Sequence, residues 1–231
     1  MDTSFLEIRR VCKIFSPHQN VEVRALSDID LAIRRGEFAV LSGPSGSGKT
    51  TLLNIIGGLD SASSGTVLLD GIQVTDLGEK HLSALRRDHI GFVFQAYNLI
   101  PVLTARENIE YVMRLQGRSP AACHRRSQEV AVKLDIAELL DKLRNQLSGG
   151  QQQRVAVARA VAAKPKLILA DEPTANLDSK SAANLMDMMQ QLNEEEGITI
   201  IFSSHDPLVI SKAKHSIVLR DGKVVANEHL D

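Results

Sequence analysis

Short apolar runs separated by turn residues make up much of the first hundred positions. Period-two alternation, or a continuous apolar run of this length, is typical of β-strands. Such runs occupy residues 5–15, 26–33, 37–42 and 90–95. Residues 65–74 add two shorter runs around Asp70-Gly71, a dipeptide that favours a tight hairpin turn. The pattern therefore predicts strands across most of this region.

Helical spacing of apolar residues first occurs at 49–59, where it follows a glycine-rich loop and ends at Gly57 and Gly58. Further on, the apolar runs 166–171 and 198–204 flank a helical segment, which predicts a βαβ unit with buried parallel strands. Residues 215–225 close the pattern as a hairpin. The remaining helical segments are 104–117, 119–135, 136–143, 151–163 and 179–197.

The predicted fold class is α/β. We expect an α/β core, a mostly helical insertion near residues 96–163, and an antiparallel β portion formed by the N-terminal strands. No repeat, low-complexity segment or long linker interrupts the pattern. We therefore treat residues 1–231 as one domain.

Composition narrows the class of partner. The net charge of −1 gives no electrostatic basis for binding nucleic acid, so we expect none among the partners. No apolar run approaches the roughly 20 residues that span a bilayer, and residues 1–10 lack the apolar stretch of a signal peptide. Cys12 and Cys123 fit no C-x-x-C spacing and are expected to be reduced thiols of a cytosolic protein. Action at a membrane would then require a partner.

The clearest chemical motif is GPSGSGKT, which lies between a predicted strand and a predicted helix. It matches the phosphate-binding loop G-x-x-x-x-G-K-[ST], in which bare glycine backbone lets phosphate oxygens approach N–H groups. Lys49 would reach the β and γ phosphates of a nucleotide, and the Thr50 hydroxyl would bind Mg²⁺. The alternative is an ordinary flexible loop, which would not need a strand directly before it and a helix directly after it. The candidate nucleotide-binding residues are Gly43, Pro44, Ser45, Gly46, Ser47, Gly48, Lys49, Thr50 and Thr51.

Two adjacent carboxylates, Asp171 and Glu172, end the apolar run LILADEP. Ligands of an open parallel sheet bind at the carboxyl ends of its strands. Asp171 would hold Mg²⁺, and Glu172 would orient or deprotonate the water that attacks the γ-phosphate. An ordinary acidic turn is the alternative, and the phosphate loop in the same chain argues against it.

The segment LSGGQQQR precedes a helical run. Ser148 is a good N-cap residue. Glycines in a first helical turn cost about 1 kcal/mol each relative to alanine, so Gly149 and Gly150 call for a reason beyond helix formation. A helix N-terminus with bare backbone N–H groups is suited to an anion. The alternative is a glycine-containing turn that happens to start a helix.

These motifs, with a glutamine in VFQ and a histidine in SSHDP, occur in the order found in ABC transporter ATPase subunits. The chain resembles this family over essentially its whole length. The resemblance implies a P-loop NTPase fold with a RecA-like core, a helical subdomain and an antiparallel β subdomain. It also implies ATP and Mg²⁺ as ligands, and a head-to-tail homodimer. In such a dimer Ser148, Gly149 and Gly150 of one subunit cap the ATP held by the other.

The resemblance assigns further residues one by one. Gln95 matches the glutamine that contacts Mg²⁺ and senses nucleotide, and His205 matches the histidine that reaches the γ-phosphate. Asp178 matches an aspartate at the dimer interface, although Ala175 replaces a glycine usual in that stretch. Phe15 stands where the family has an aromatic, commonly tyrosine, that stacks on adenine. Phenylalanine keeps the stacking face and loses the hydroxyl; simple packing is the alternative.

Within the family, the chain looks most like the macrolide-exporter and lipoprotein-release subunits. This branch implies separate integral-membrane permease subunits and a cytoplasmic protein held peripherally at the inner membrane. Residues 96–117 are the expected docking surface, centred on Tyr97 to Leu103 and including Leu99 and Val102. These side chains would otherwise be subdomain core. A regulatory ATPase that controls a membrane partner without transport would have nearly the same sequence.

Overall fold

Ten strands form two sheets in the part of the chain that the structure describes. The computed structural model describes residues 4–18 and 21–230. The strands are β1 (Leu6–His18), β2 (Val21–Ile33), β3 (Phe38–Ser42), β4 (Ser64–Leu69), β5 (Ile72–Gln73), β6 (Ile90–Val93), β7 (Leu167–Ala170), β8 (Thr199–Ser204), β9 (His215–Arg220) and β10 (Lys223–His229). The smaller sheet is antiparallel, in the order β2-β1-β4-β5. The larger has the order β10-β9-β3-β8-β7-β6, and only β10 runs antiparallel to its neighbour.

Among the described residues, seven α-helices surround the larger sheet or connect its strands. They are α1 (Lys49–Ile56), α2 (Glu79–His89), α3 (Ala105–Leu115), α4 (Pro120–Lys133), α5 (Gly149–Ala162), α6 (Ser179–Glu196) and α7 (Pro207–Ile210). No helix in the described ranges is both long enough and apolar enough to cross a membrane.

The larger sheet is buried on both faces. All five residues of β3 are buried. Because successive side chains of a strand point to opposite faces, Phe38 and Val40 join a hydrophobic cluster with α3, α5 and α6. Ala39 and Leu41 join a second cluster with α1 and the smaller sheet. This two-sided burial explains why the central strands are continuous apolar runs.

Most of the predicted elements are present, and three differ: residues 136–143, helix α2, and the one-turn helix α7, which the pattern did not predict. Residues 136–143 form only a 3₁₀ turn, Ala137–Leu139, because α4 ends beforehand and Asp135 adopts a left-handed conformation with φ of 55°. Helix α2 was not predicted, because charged and polar residues fill most of its sequence and only Leu85 is buried. Both hairpins, β4–β5 and β9–β10, are present.

Candidate active site

Four neighbouring parallel strands deliver the predicted catalytic residues to one edge of the larger sheet. The phosphate loop follows β3, Asp171 and Glu172 follow β7, and His205 follows β8. Gln95 lies two residues beyond β6. Carboxyl ends of parallel strands meet at a common edge, so the topology collects these segments, which are far apart in sequence. The resulting cleft has a volume of about 350 Å³ and is lined by Ala25, Ser45, Gly46, Gly48, Lys49, Thr50, Thr51, Gln95, Glu172, Ala175 and His205.

The three glycines of the phosphate loop all have positive φ but meet different surroundings. A Cβ on Gly43 would lie 2.1 Å from the Leu219 carbonyl oxygen, and one on Gly48 would lie 2.8 Å from the Ala25 carbonyl oxygen. A Cβ on Gly46 would meet nothing within 4 Å. Packing against the protein itself therefore requires glycine at positions 43 and 48. At Gly46 the space beside the backbone is left to a ligand.

Two polar side chains of the loop, Ser47 and Lys49, differ in their hydrogen bonding. The buried Ser47 hydroxyl has no hydrogen-bond partner among the described residues, and a buried polar atom without a partner is costly. Lys49 Nζ donates to the Gly43 and Pro44 carbonyl oxygens at 2.8 and 3.1 Å, and lies 3.9 Å from Glu172 Oε1. These contacts hold the ammonium at the loop, where phosphate oxygens can replace the carbonyl partners.

Thr50 and Asp171 face each other across the cleft. Thr50 Oγ1 lies 3.0 and 2.9 Å from the two carboxylate oxygens of Asp171, to which it donates. Hydroxyl and carboxylate oxygens are ligands that Mg²⁺ prefers. The chemistry of the pair therefore fits a magnesium ion, and Gln95 is exposed in the wall of the same cleft.

Ser203, which the motifs did not single out, fixes the two adjacent acids. Its hydroxyl donates to Asp171 Oδ1 at 2.7 Å and accepts from the Glu172 backbone N–H at 2.8 Å. Glu172 has a φ of 46°, which is uncommon for a residue with a Cβ. The bond from its N–H helps to hold that conformation. The available sequence signal was a small polar residue at the carboxyl end of β8.

Glu172 also contacts His205. His205 Nδ1 lies 3.0 Å from Glu172 Oε1, and the imidazole is largely exposed while the carboxylate is largely covered. The carboxylate thus lies between the Lys49 ammonium and the imidazole. Asn176, four residues after Glu172, donates to the Gln95 carbonyl oxygen at 3.1 Å. This bond links the segment after the two acids to the segment that carries Gln95.

The serine–glycine segment lies elsewhere. Ser148 is the N-cap of α5, and its hydroxyl accepts from the Gln151 N–H at 3.3 Å while Gln151 Oε1 accepts from the Ser148 N–H at 2.9 Å. The predicted N-cap is therefore confirmed. This segment lines a different cleft, which shares no lining residue with the first in the described ranges: Asp135, Glu138, Ser148, Gly150, Gln151, Arg154, Leu177, Ser181 and Leu185.

The two glycines of this segment differ in their surroundings. A Cβ on Gly149 would lie 3.0 Å from the Tyr97 hydroxyl, whereas one on Gly150 would meet only Leu177, at an ordinary 3.7 Å. Packing within the chain thus gives no reason for glycine at 150.

Asp178 is the N-cap of α6, and hydrogen bonds from the Ser181 hydroxyl and N–H lower the pKa of its carboxyl group.

Phe15 lies on β1 near the entrance of the nucleotide cleft. It pairs with Val23 of β2, two residues from Ala25 in the cleft wall. Its side chain is 40% exposed, and Lys13 Nζ lies 4.8 Å from the ring centroid. One ring face is therefore covered by an ammonium group, and the ring retains exposed surface.

The expected docking surface is only partly available. Leu99 is buried among the residues of the helical core, so its assignment to this surface was wrong. The cause is Asn108: its side-chain amide accepts from the Ile100 N–H and donates to the carbonyls of Ile100, Leu103 and Thr104. These bonds fold the loop so that Leu99 turns inward. Val102, at the tip, is 81% exposed.

The family is shown by comparison with known proteins. The ABC transporter family model matches residues 26–175, and the chain belongs to this family. A second model, of an AAA domain, matches residues 145–211. The chain is thus the ATP-binding and ATP-hydrolysing component typical of an ABC transporter, and the predicted fold class is confirmed.

Three relatives are similar over nearly the whole chain. The uncharacterized ABC transporter ATP-binding protein MJ0796 of Methanocaldococcus jannaschii is 44% identical and covers 97% of both chains. The lipoprotein-releasing system ATP-binding protein LolD 1 of Chlorobium chlorochromatii is 42% identical, over 100% of this chain and 94% of its own. The bacitracin export ATP-binding protein BceA of Halalkalibacterium halodurans is 40% identical, over 98% and 89%.

A solved structure supplies the same fold. MJ0796, as a dimer in a post-hydrolysis state with ADP and Pi bound, has a TM-score of 0.91 and covers 98% of this chain and 99% of its own, at 42% identity. The sequence indicated the macrolide-exporter and lipoprotein-release branch, and proteins named for macrolide export, lipoprotein release and bacitracin export are all among the relatives.

Proposed function

We propose that two copies of this chain bind two MgATP molecules between them and that hydrolysis drives a membrane partner. The observation that carries this proposal is the separation of the two clefts. Lys49, Glu172 and His205 line one cleft, and the exposed N-terminus of α5, with Ser148 and Gly150, lines another. A helix N-terminus attracts anions, and a second copy in head-to-tail orientation brings a γ-phosphate to it.

The residues of the first cleft have distinct roles in this proposal. Lys49 and the backbone of Gly46 and Gly48 bind the phosphates. Thr50, Asp171 and Gln95 hold Mg²⁺, which neutralises charge on the transferred phosphoryl group. The remaining two residues act on the reaction itself.

Glu172 accepts the proton of the attacking water. His205, 3.0 Å from that carboxylate, orients it and contacts the γ-phosphate. Asp178, the N-cap of α6 between the second-cleft residues Leu177 and Ser181, lies at the interface of the two copies. On the far side of the nucleotide, Phe15 stacks on the adenine.

The membrane partner is proposed to be a pair of separate permease subunits of the exporter and lipoprotein-release type. Relatives named for lipoprotein release and bacitracin export support this class. The chain would then be cytoplasmic and peripheral at the inner membrane. Docking centres on Val102 and the exposed Ala96, Asn98 and Pro101 beside it, and excludes the buried Leu99.

Glu172→Gln tests the catalytic proposal. The amide keeps the shape of the carboxylate but cannot accept a proton, and Asp171 remains for Mg²⁺. With MgATP we expect hydrolysis to stop and the protein to elute as a dimer on size exclusion. Lys49→Ala, the matched control, should stay monomeric because the phosphate site loses its positive charge. Hydrolysis at the wild-type rate would show that Glu172 is not the base.

A mixed dimer tests whether Ser148 and its glycines act on the other subunit's nucleotide. A Lys49→Ala chain is combined with a Gly149→Asp chain, both also carrying Glu172→Gln. Head-to-tail pairing leaves one intact composite site, so one ATP should be retained per heterodimer. If the segment acts within its own chain, no intact site exists and no ATP is retained. Either variant alone should retain none.

A reconstituted complex tests the membrane role. Transport of a cargo coupled to hydrolysis supports the exporter class. A partner whose signalling or envelope-remodelling activity changes without transport would instead indicate the regulatory class.

A further inference from the structure

Lys13 occupies one face of the exposed aromatic ring on β1. Residues 13 and 15 lie on the same face of the strand, and the Lys13 ammonium is 4.8 Å from the Phe15 ring centroid. This distance is within the range of a cation–π contact. Lys13 itself is buried, at 8% exposure, so the ammonium covers the ring from the protein side.

Two oxygen atoms hold the Lys13 ammonium in place. Nζ donates to Asp60 Oδ1 at 2.6 Å and to the Ser61 carbonyl oxygen at 2.7 Å. A buried charge requires such partners. Asp60 is in turn attached to the end of α1, because its N–H donates to the Asn54 carbonyl oxygen at 3.2 Å.

Helix α1 begins at Lys49 of the phosphate loop, so these bonds connect the aromatic ring to that loop through a rigid element. In this series of contacts, the Phe15 ring lies at one end and the phosphate loop lies at the other. Ile14, between the two residues, donates its N–H to Ser63 Oγ at 2.9 Å, which holds β1 against the segment before β4. The connection from the ring to the phosphate loop runs through Lys13, Asp60 and α1.

We propose that Lys13 is a positioning residue for the base of the bound nucleotide. It closes one face of Phe15 and sets the distance of the ring from the phosphate loop, so that a purine stacks on the opposite face. This inference rests on the proposed stacking role of Phe15. Its specific consequence is that Lys13 strengthens binding of the base without affecting binding of the phosphates.

Paired ligands with and without a base test this consequence. ADP and pyrophosphate are titrated by calorimetry with Mg²⁺ present, because ADP avoids the ATP-driven dimer. Lys13→Met removes the charge and the hydrogen bonds, and Lys13→Gln keeps an amide donor for Asp60 and Ser61. Both variants should weaken ADP binding at least about twofold because the ring loses its position, with about 30-fold as the ceiling set by the full strength of a cation–π contact. Pyrophosphate affinity should stay within about twofold.

Two controls separate this effect from general damage. Lys80→Met removes the same charge from an exposed position of α2 and should leave both affinities unchanged. In a Phe15→Ala background, Lys13→Met should cause no further loss of ADP affinity, because the two residues act through one contact. A lysine that merely stabilises β1 would weaken ADP binding equally in both backgrounds.

Each outcome decides between alternatives. Unchanged ADP affinity in a folded Lys13→Met or Lys13→Gln variant overturns the inference, as does an equal loss of pyrophosphate affinity. If Phe15→Ala weakens ADP binding and the Lys13 variants do not, only the role of Lys13 fails. If Phe15→Ala has no effect, the proposed stacking of adenine fails first. Because the chain has no tryptophan, Phe15→Trp adds a single tryptophan, whose selectively excited fluorescence ADP, but not pyrophosphate, should quench.

Discussion

Truncation of Leu99 should lower the free energy of unfolding, whereas truncation of Val102, three positions away in the same loop, should leave it almost unchanged. Leu99 is 3% exposed and belongs to the helical core cluster, whereas Val102 is 81% exposed. Leu99→Ala removes buried methyl groups and leaves a cavity, which costs about 2–4 kcal/mol of unfolding free energy. Val102→Ala removes groups that already contact water, so its cost should stay within about 0.5 kcal/mol.

Urea denaturation of the isolated chain measures both values. Leu99→Ala should lower the midpoint with an unchanged slope, since the same surface is exposed on unfolding. Its melting temperature should fall by about 4–16 °C for a chain of this size. Val102→Ala should unfold like the wild type. Equal midpoints for the two variants would refute the assignment of Leu99 to the core and of Val102 to the docking surface.

Three further changes test the network around the two clefts. Ser203→Ala should lower the rate of hydrolysis about 10- to 100-fold with little change in ATP affinity, since Asp171 loses an orienting donor; an unchanged rate would exclude that role. Ser181→Ala should raise the pKa of Asp178 toward its ordinary value in an NMR titration. The hydrogen bonds to the Asp178 carboxylate lower its pKa in the folded state, so they stabilise the fold above the unfolded pKa of about 3.9. This stabilisation is lost as pH falls through the folded pKa. A pKa that Ser181→Ala leaves unchanged would contradict the hydrogen bond. Gly43→Ala should destabilise the empty protein in thermal melts, because its Cβ would overlap a carbonyl of β9; a wild-type melt would contradict this.

The sequence determined what depends on short stretches of chain. The phosphate loop is eight contiguous residues between a strand and a helix, so its glycines and Lys49 are recognisable without any long-range contact. The N-cap at Ser148 needs only Gln151, three residues away. The buried parallel strands were predictable because burial on both faces leaves continuous apolar runs.

Tertiary structure decided what depends on contacts across many residues. Ser203 reaches Asp171 across 32 positions, through the pairing of β7 with β8. Its place at the carboxyl end of an apolar strand was visible in the sequence, but that place alone does not identify Asp171 as its partner. The burial of Leu99 follows from the Asn108 amide, which forms hydrogen bonds with four backbone groups of the loop. The apolar residues of that loop do not by themselves show which of them face water.

The separation of the phosphate loop from Ser148 is also a tertiary property. Both segments have the local chemistry of an anion site. Hydrophobic periodicity indicates which face of an element is buried, but it does not indicate which elements line a common cleft. Only the packing of α5 and α6 against the sheet assigns Ser148 to a different cleft from Lys49.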